Sequence, residues 1–333
     1  MRKLTWAVVT AFCLCVLSPA RAQTAPKLKV LLVDGQNNHD WRSCQPVIKW
    51  ILEESGRFVV DLATSPPPAP RAPAPPKADA TPEQKDAHQK ALAKVAEQQA
   101  EIARQWAAWR PKFADYSAVV CNYNGDSWPA EVKTDFTRYV AGGGGLVIIH
   151  AANNAFPDWP EFNEMIAVGG WGGRNEKSGP MVRWREGKIV FDTKPGPGGG
   201  HGAQHEFLVE AREPEHPILK GLPLKWRHAT DELYSNLRGP AKNLTVLATA
   251  YADPRTRGTG EHEPILMAIA YEKGRVFHTV LGHGPFAMSG IGFQATLQRG
   301  TEWVATGQVT LPAPKPADLP EDKAVLRKPP GVK

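Results

Sequence analysis

Short apolar runs, each closed by polar residues, alternate with amphipathic stretches along the first half of the chain. Lys29-Val30-Leu31-Leu32-Val33 ends in Asp34-Gly35 and predicts a buried parallel strand. A polar loop over 36–40 leads into a helix carrying Pro46, Val47, Trp50, Ile51 and Leu52, which stops at Gly56. Phe58-Val59-Val60-Asp61-Leu62 is the second strand. Ala118-Val119-Val120-Cys121-Asn122 is the next, an amphipathic helix follows over 129–140, and Leu146-Val147-Ile148-Ile149 is the most apolar strand. A β-α-β start of this kind predicts a doubly wound α/β sheet with ligand groups at the carboxyl ends of its strands. Residues 155–205 read as irregular and rich in Gly and Trp. Later strands are expected at 206–211, 245–250, 265–271 and 275–280, the last two as a hairpin across Glu272-Lys273-Gly274. A helix over 291–305 closes the domain, and the Pro-rich tail 312–333 reads as disordered.

Two segments break this pattern. Residues 65–80 are dominated by Pro and Ala, a linker-like polyproline stretch. Thr81-Pro82-Glu83-Gln84 then starts a helix over 82–110, with Leu92, Val95, Ile102, Trp106 and Trp109 on one stripe. Residues 65–113 read as an insertion into the domain, and the helix 82–110, docked by its tryptophan end, as a surface element without chemistry. At the other break, residues 1–22 have the layout of a secretory signal peptide. Arg2-Lys3 precedes an apolar run, and Ser18-Pro19-Ala20-Arg21-Ala22 gives a small-x-small cleavage pattern before Gln23. The expectation is an exported mature chain, periplasmic or secreted, with no stable membrane insertion after cleavage.

Charge and cysteine content narrow the classes further. The formal charge of +6 falls to +3 once Arg2, Lys3 and Arg21 are removed, and it is dispersed. A nucleic-acid partner would need a clustered basic stripe, so none is expected. Cys44 and Cys121 remain after processing, and two cysteines permit one disulfide but no framework. No G-x-S-x-G elbow and no Walker sequence occurs. The Gly142–Gly145 run precedes a strand instead of opening a helix, so it is not a dinucleotide loop.

The candidate chemistry is carried by histidines at strand ends. His150 follows the strongest strand directly, where its side chain should face the crevice above the sheet. His39 sits in the loop after the first strand, beside Asp40 and Trp41. His283 follows Val280-Leu281-Gly282 just past another strand, and His228 precedes Asp231-Glu232-Leu233-Tyr234. His201 and His205 have an i, i+4 spacing that suits a metal only on a helix, and the glycines before them argue against one. Imidazoles with Asp231 or Glu232 suit a divalent metal such as zinc, or acid–base chemistry without one. The bland alternative is a core histidine satisfied by a backbone carbonyl for His150 and a simple surface residue for His39.

The ordered set of short motifs resembles the ThuA-like, trehalose-utilisation family. The matching pieces are Val33-Asp34-Gly35-Gln36-Asn37-Asn38-His39-Asp40-Trp41, Tyr123-Asn124-Gly125, Gly143 to Ala151, His216-Pro217-Ile218, Asp231 to Tyr234, Gly274 to Phe277 and Leu281-Gly282-His283. The resemblance implies a flavodoxin-like three-layer sandwich with a mostly parallel central sheet, like the class I glutamine amidotransferases. Those enzymes keep a nucleophilic Cys at the tight turn after a central strand. Here that turn falls at Ile149-His150-Ala151, and Cys121 ends a different strand, so amidotransferase chemistry is not expected.

The resemblance further implies disaccharide catabolism, in particular through 3-keto sugars, with a small carbohydrate as partner. In that reading His150 is catalytic base or metal ligand, with His39, His205 and His283 as supporting ligands or proton carriers. Asp231 or Glu232 orients a histidine or serves as general acid. His39, Asp40, Trp41, Asn124, Asn153 and Tyr234 face the sugar, with the rings of Trp128, Trp159 and Trp171 as further stacking candidates among eleven tryptophans. A non-catalytic sugar-binding protein and an inactive scaffold with a docking helix are the alternatives.

Overall fold

A computed structural model describes residues 26–329, so the signal-like stretch 1–22 lies outside them. Thirteen strands and six α-helices follow in chain order: β1 Leu28–Asp34, α1 Trp41–Glu54, β2 Phe58–Thr64, α2 Pro82–Ala108, β3 Ala118–Cys121, α3 Ala130–Ala141, β4 Gly145–Ile149, α4 Pro160–Ile166, β5 Met181–Arg185, β6 Lys188–Asp192, β7 Gly200–His201, β8 His205–Ala211, β9 Lys225–Asp231, β10 Tyr234–Ser235, β11 Leu244–Tyr251, β12 His262–Tyr271, β13 Gly274–Thr279, α5 Pro285–Met288 and α6 Ile291–Thr306.

The expected parallel sheet is present as β2-β1-β3-β4-β13. Val30–Val33, Ala118–Cys121 and Leu146–Ile149 are buried on both faces, which is why they read as unbroken apolar runs. Helix α1 turns Cys44, Val47, Ile48, Ile51 and Leu52 inward at helical spacing and packs with α6 over the sheet. Helices α3 and α4 pack elsewhere on the sheet, giving the three-layer α/β arrangement. The β12–β13 hairpin turns at Glu272–Gly274 as expected, and β12, β11, β8 and β9 extend the sheet antiparallel.

Four elements depart from the sequence reading. Strand β9 was hidden because His228 and Asp231 are buried in it and erase its apolar signal. The β5–β6 hairpin and the short helix α4 lie in the stretch expected to be irregular. Arg183 on β5 is buried against Glu263, so that strand also carries charge where apolarity would mark it. The tail is not loose. Leu319 is buried, Arg227 N–H donates to Pro320 O at 2.8 Å, and Ile291 N–H donates to Val325 O at 3.0 Å. Proline-rich chain supplies carbonyls without competing donors, and here they satisfy an edge strand and the first amide of α6.

The 65–113 segment is an outlying arm. No residue of α2 is buried, and it starts on a Thr81–Gln84 capping box. It is held at its end, where Trp106 packs on Trp109 and Trp109 on Trp128 (ring centroids 5.5 and 5.3 Å). Gln99 also donates to Pro70 O at 2.9 Å, tying helix to polyproline stretch.

Candidate metal centre

Three loops at strand ends converge over the carboxyl edge of the parallel sheet. The loop after β1 carries His39, the turn after β4 carries His150, and the loop after β13 carries His283. Glu232 enters from the end of β9. Ligand atoms of His39, His150 and Glu232 all lie within 4.8 Å of one another. Glu232 is the hub. Its Oε2 is 3.5 Å from His150 Nε2, and its Oε1 is 3.3 Å from His283 Nε2 and 3.8 Å from His201 Nε2.

His150 holds an uncommon backbone conformation, with φ +45°. A non-glycine residue there carries strain on the order of 1–3 kcal/mol, which the surroundings must hold in place. Two contacts do so: Nδ1 sits 2.7 Å from Val280 O, and the ring stacks on Tyr234 at 4.1 Å. A carbonyl only accepts, so Nδ1 carries the proton and Nε2 is left free, buried and facing Glu232. His150→Gly is therefore expected to be more stable than His150→Ala by about 1 kcal/mol, measured by urea unfolding. Equal stabilities would show that no strain is stored there.

Electrostatics set the donors in their ligating forms. Burial, followed by the charges of His150 and His283, pushes His39 down to about 4. Burial opposes ionisation of Glu232, but the imidazoles of His150, His283 and His201 gathered around it outweigh it, holding the carboxyl at about 2. A neutral imidazole and an ionised carboxylate are what a divalent cation binds. The free Nε2 of His150 completes the set, so these residues fit a divalent ion.

The same depressed histidines make acid destabilising. Burial also pushes His216 and His278 down to about 4. Their unfolded value is about 6.5, so the unfolded chain takes up protons first as pH falls. Their stabilising contribution is complete above about pH 6.5 and is lost toward pH 4. The urea midpoint of metal-free protein is expected to fall steadily from pH 7 to pH 4.5. A flat midpoint over that range would contradict these assignments.

Asp231 stands behind the cluster. It is fully buried, 2.9 Å from His228 Nε2, and accepts the backbone N–H groups of Gly282 (2.7 Å), His283 (3.1 Å) and Glu232 (2.8 Å). Gly282 needs its freedom: φ is +101°, and a Cβ there would meet the Phe293 ring at 2.8 Å. Asp231 thus positions the His283 loop and Glu232 through their backbone amides.

Comparison with known proteins fixes the family. The sequence profile described as ThuA, trehalose utilisation, matches residues 77–304. A ThuA-like protein from Parabacteroides merdae, of known crystal structure, is 44% identical and superimposes with a TM-score of 0.78, over 91% of this chain and 98% of its own. The chain belongs to the ThuA family. A second ThuA-like structure, from Bacteroides uniformis, shares the fold at 18% identity and TM-score 0.52, over 88% of this chain and 97% of its own. A search of curated proteins finds no match. The ThuA match begins inside the 65–113 segment, so α2 lies within the family region while His39 lies before it.

Within this ThuA fold the other expected site residues divide sharply. Tyr234 belongs to the centre, its hydroxyl 3.3 Å from His39 Nε2. Asp40 caps α1, accepting Ser43 N–H at 3.2 Å, and lines a cavity of about 470 Å³ shared with His39 and His283. Trp41 and Asn124 line a neighbouring cavity of about 320 Å³ with Pro67 and Pro68, so the insertion does touch the site's surroundings. Asn124 also fixes the His39 loop, accepting Asn38 N–H at 3.0 Å and donating to Ala151 O at 3.0 Å.

Two expected site residues lie apart from the centre. Asn153 is buried beneath the site, its Nδ2 3.0 Å from His278 Nε2, and supports the core instead of a sugar. His205 opens β8, its Nδ1 on Ala203 O at 2.7 Å, and lines a different cavity with Tyr251 and Asp253. Extended backbone separates an i, i+4 pair, so one member reaches the centre. That member is His201, placed opposite Tyr234 by the β7–β10 pairing.

The tryptophans are mostly packing. Trp128 and Trp159 are buried with Phe113, Tyr123, Phe136, Phe156 and Phe162, and Trp171 packs edge-on against Tyr234. Cys44 and Cys121 are free and buried, which pushes both thiols up to about 12, so neither is a thiolate at neutral pH. No helix among the described residues is long and apolar enough to cross a membrane. Sequence reasoning missed Gln204, whose amide donates to Glu232 Oε1 at 3.3 Å, and Phe286, whose ring stands exposed beside His283.

Proposed function

We propose that this ThuA-family protein is a divalent-metal-assisted enzyme acting on a di- or oligosaccharide, with a 3-keto-glycoside as the form best suited to the site. The observation that carries this reading is the closure of His39, His150 and Glu232 to within 4.8 Å beside an open cavity. A cation held by two imidazoles and one carboxylate keeps open positions and supplies Lewis acidity toward a carbonyl or hydroxyl oxygen. The chain's residues do the rest. His283, at the cavity edge, presents Nε2 as the group to exchange a proton with the sugar. For a 3-keto-glycoside that proton is the acidic one on C2; its removal forms the C1–C2 double bond and breaks the C1–O bond, and the departing sugar oxygen takes the same proton back from His283. Asp231 holds His283 and Glu232 in place through their amides. Export remains part of the proposal, on the strength of the signal-like residues 1–22.

The test is incubation of zinc-loaded protein with trehalose and with its 3-keto form, followed by product analysis. Cleavage of the oxidised sugar is expected, lost on chelation and in His150→Ala. No cleavage of either sugar by metal-loaded protein would remove the catalytic claim and leave a sugar-binding protein.

A further inference from the structure

The 470 Å³ cavity beside the centre has an unusual lining for a metal-site vestibule. It falls within the volume range of small-molecule sites. Its walls combine one exposed aromatic ring, Phe286 at 43% exposure, with Asp40, Ser43, Gln204 and Thr230, and with His39 and His283 at one end. Phe286 belongs to α5, which starts immediately after the His283 loop, so ring and proton-exchanging histidine are set on one short segment.

An exposed phenyl ring beside a polar wall matches a ligand with one apolar face and a polar periphery. A pyranose ring has that character, its C–H groups on a face and its hydroxyls around the rim. The polar groups are already oriented. Asp40 is fixed as the cap of α1, the Ser43 hydroxyl donates to Asp40 O at 3.0 Å, and Gln204 is tied to Glu232. Gly284 lines the same space. Its backbone is extended at φ −160°, and a Cβ there would meet nothing within 4 Å. No conformational demand requires glycine, and its absent side chain leaves the cavity open.

We infer that this cavity is a glycosyl subsite, in which one pyranose ring stacks on Phe286 and is held by Asp40 and Gln204 with its reacting carbons toward His283. This rests on the reading of the centre as carbohydrate-directed, but not on turnover.

The test is calorimetric titration of the zinc-loaded protein with trehalose and its 3-keto form, with zinc content measured in parallel. Wild type is expected to bind at least one of the two. Phe286→Ala should weaken binding about tenfold, the loss typical of one apolar contact in a pocket. Gly284→Leu should abolish binding by filling the cavity, while Phe286→Ala and Gly284→Leu both keep the zinc. Unchanged sugar affinity in both variants overturns the subsite. So does absence of sugar binding in zinc-loaded wild type, which leaves the metal centre standing. Sugar binding lost in both variants of a protein that takes no zinc would instead uphold the subsite and sink the metal reading.

Discussion

Glu232→Gln and His150→Ala are each expected to cut zinc affinity by more than about a hundredfold, exceeding the loss usual for residues that only support a ligand. The two substitutions remove different things. Gln keeps the shape of Glu232 but loses the charge toward which His150, His283 and His201 are gathered. Ala at 150 removes the free Nε2 and leaves Val280 O without its partner. His205→Ala is the control and should bind zinc as wild type does, because its ring faces Asp253 and Tyr251 across another cavity. Competition titration with a chromogenic chelator separates these outcomes. Wild-type affinity in Glu232→Gln would show that the carboxylate does not hold the ion.

Asp231→Ala should have the largest effect on stability, a loss of about 3–5 kcal/mol, because it removes the acceptor of three backbone amides and the partner of a buried histidine at once. Burial opposes the charge of Asp231, but His228, then His150 and the Gly282 amide, outweigh it and hold its carboxyl below the usual range. Deleting it strands a buried His228 and orphans the amides of Gly282 and His283 together. Asp231→Asn keeps one acceptor oxygen and should fall between wild type and Ala. Urea unfolding gives the stability, and turnover of the folded variants should fall with the loop's disorder. A loss under 1 kcal/mol in Asp231→Ala would mean that the loop holds itself.

The parallel half of the fold was legible because its inner strands are buried on both faces, so burial and apolarity coincide at Val30–Val33 and Leu146–Ile149. Where a buried position carries charge the correspondence fails. Strand β9 holds His228 and Asp231 inside the protein, and β5 holds Arg183, so neither segment alternates as a strand should. The tail misled for the opposite reason, its proline content masking carbonyls that α6 and β9 use.

The centre was legible through topology. His39, His150 and His283 each follow a strand of the parallel sheet, and strands of one direction deliver their carboxyl ends to one edge. Pairing register was not legible. It decides that His201 and not His205 reaches Glu232, while the helical turn after β4 sets Asn153 against His278. Exposure was not legible either, so the aromatic ring facing the cavity turned out to be Phe286 and none of the tryptophans among the described residues.

The central claim is that His39, His150 and Glu232 bind one divalent ion. Anomalous scattering from a zinc-soaked crystal at the zinc edge tests it most directly. The predicted result is a single strong peak about 2.0–2.2 Å from ring nitrogens of His39 and His150 and from a Glu232 oxygen, absent in Glu232→Gln. Zinc found only at His205 and Asp253, or none at the strand-end cluster, would contradict it.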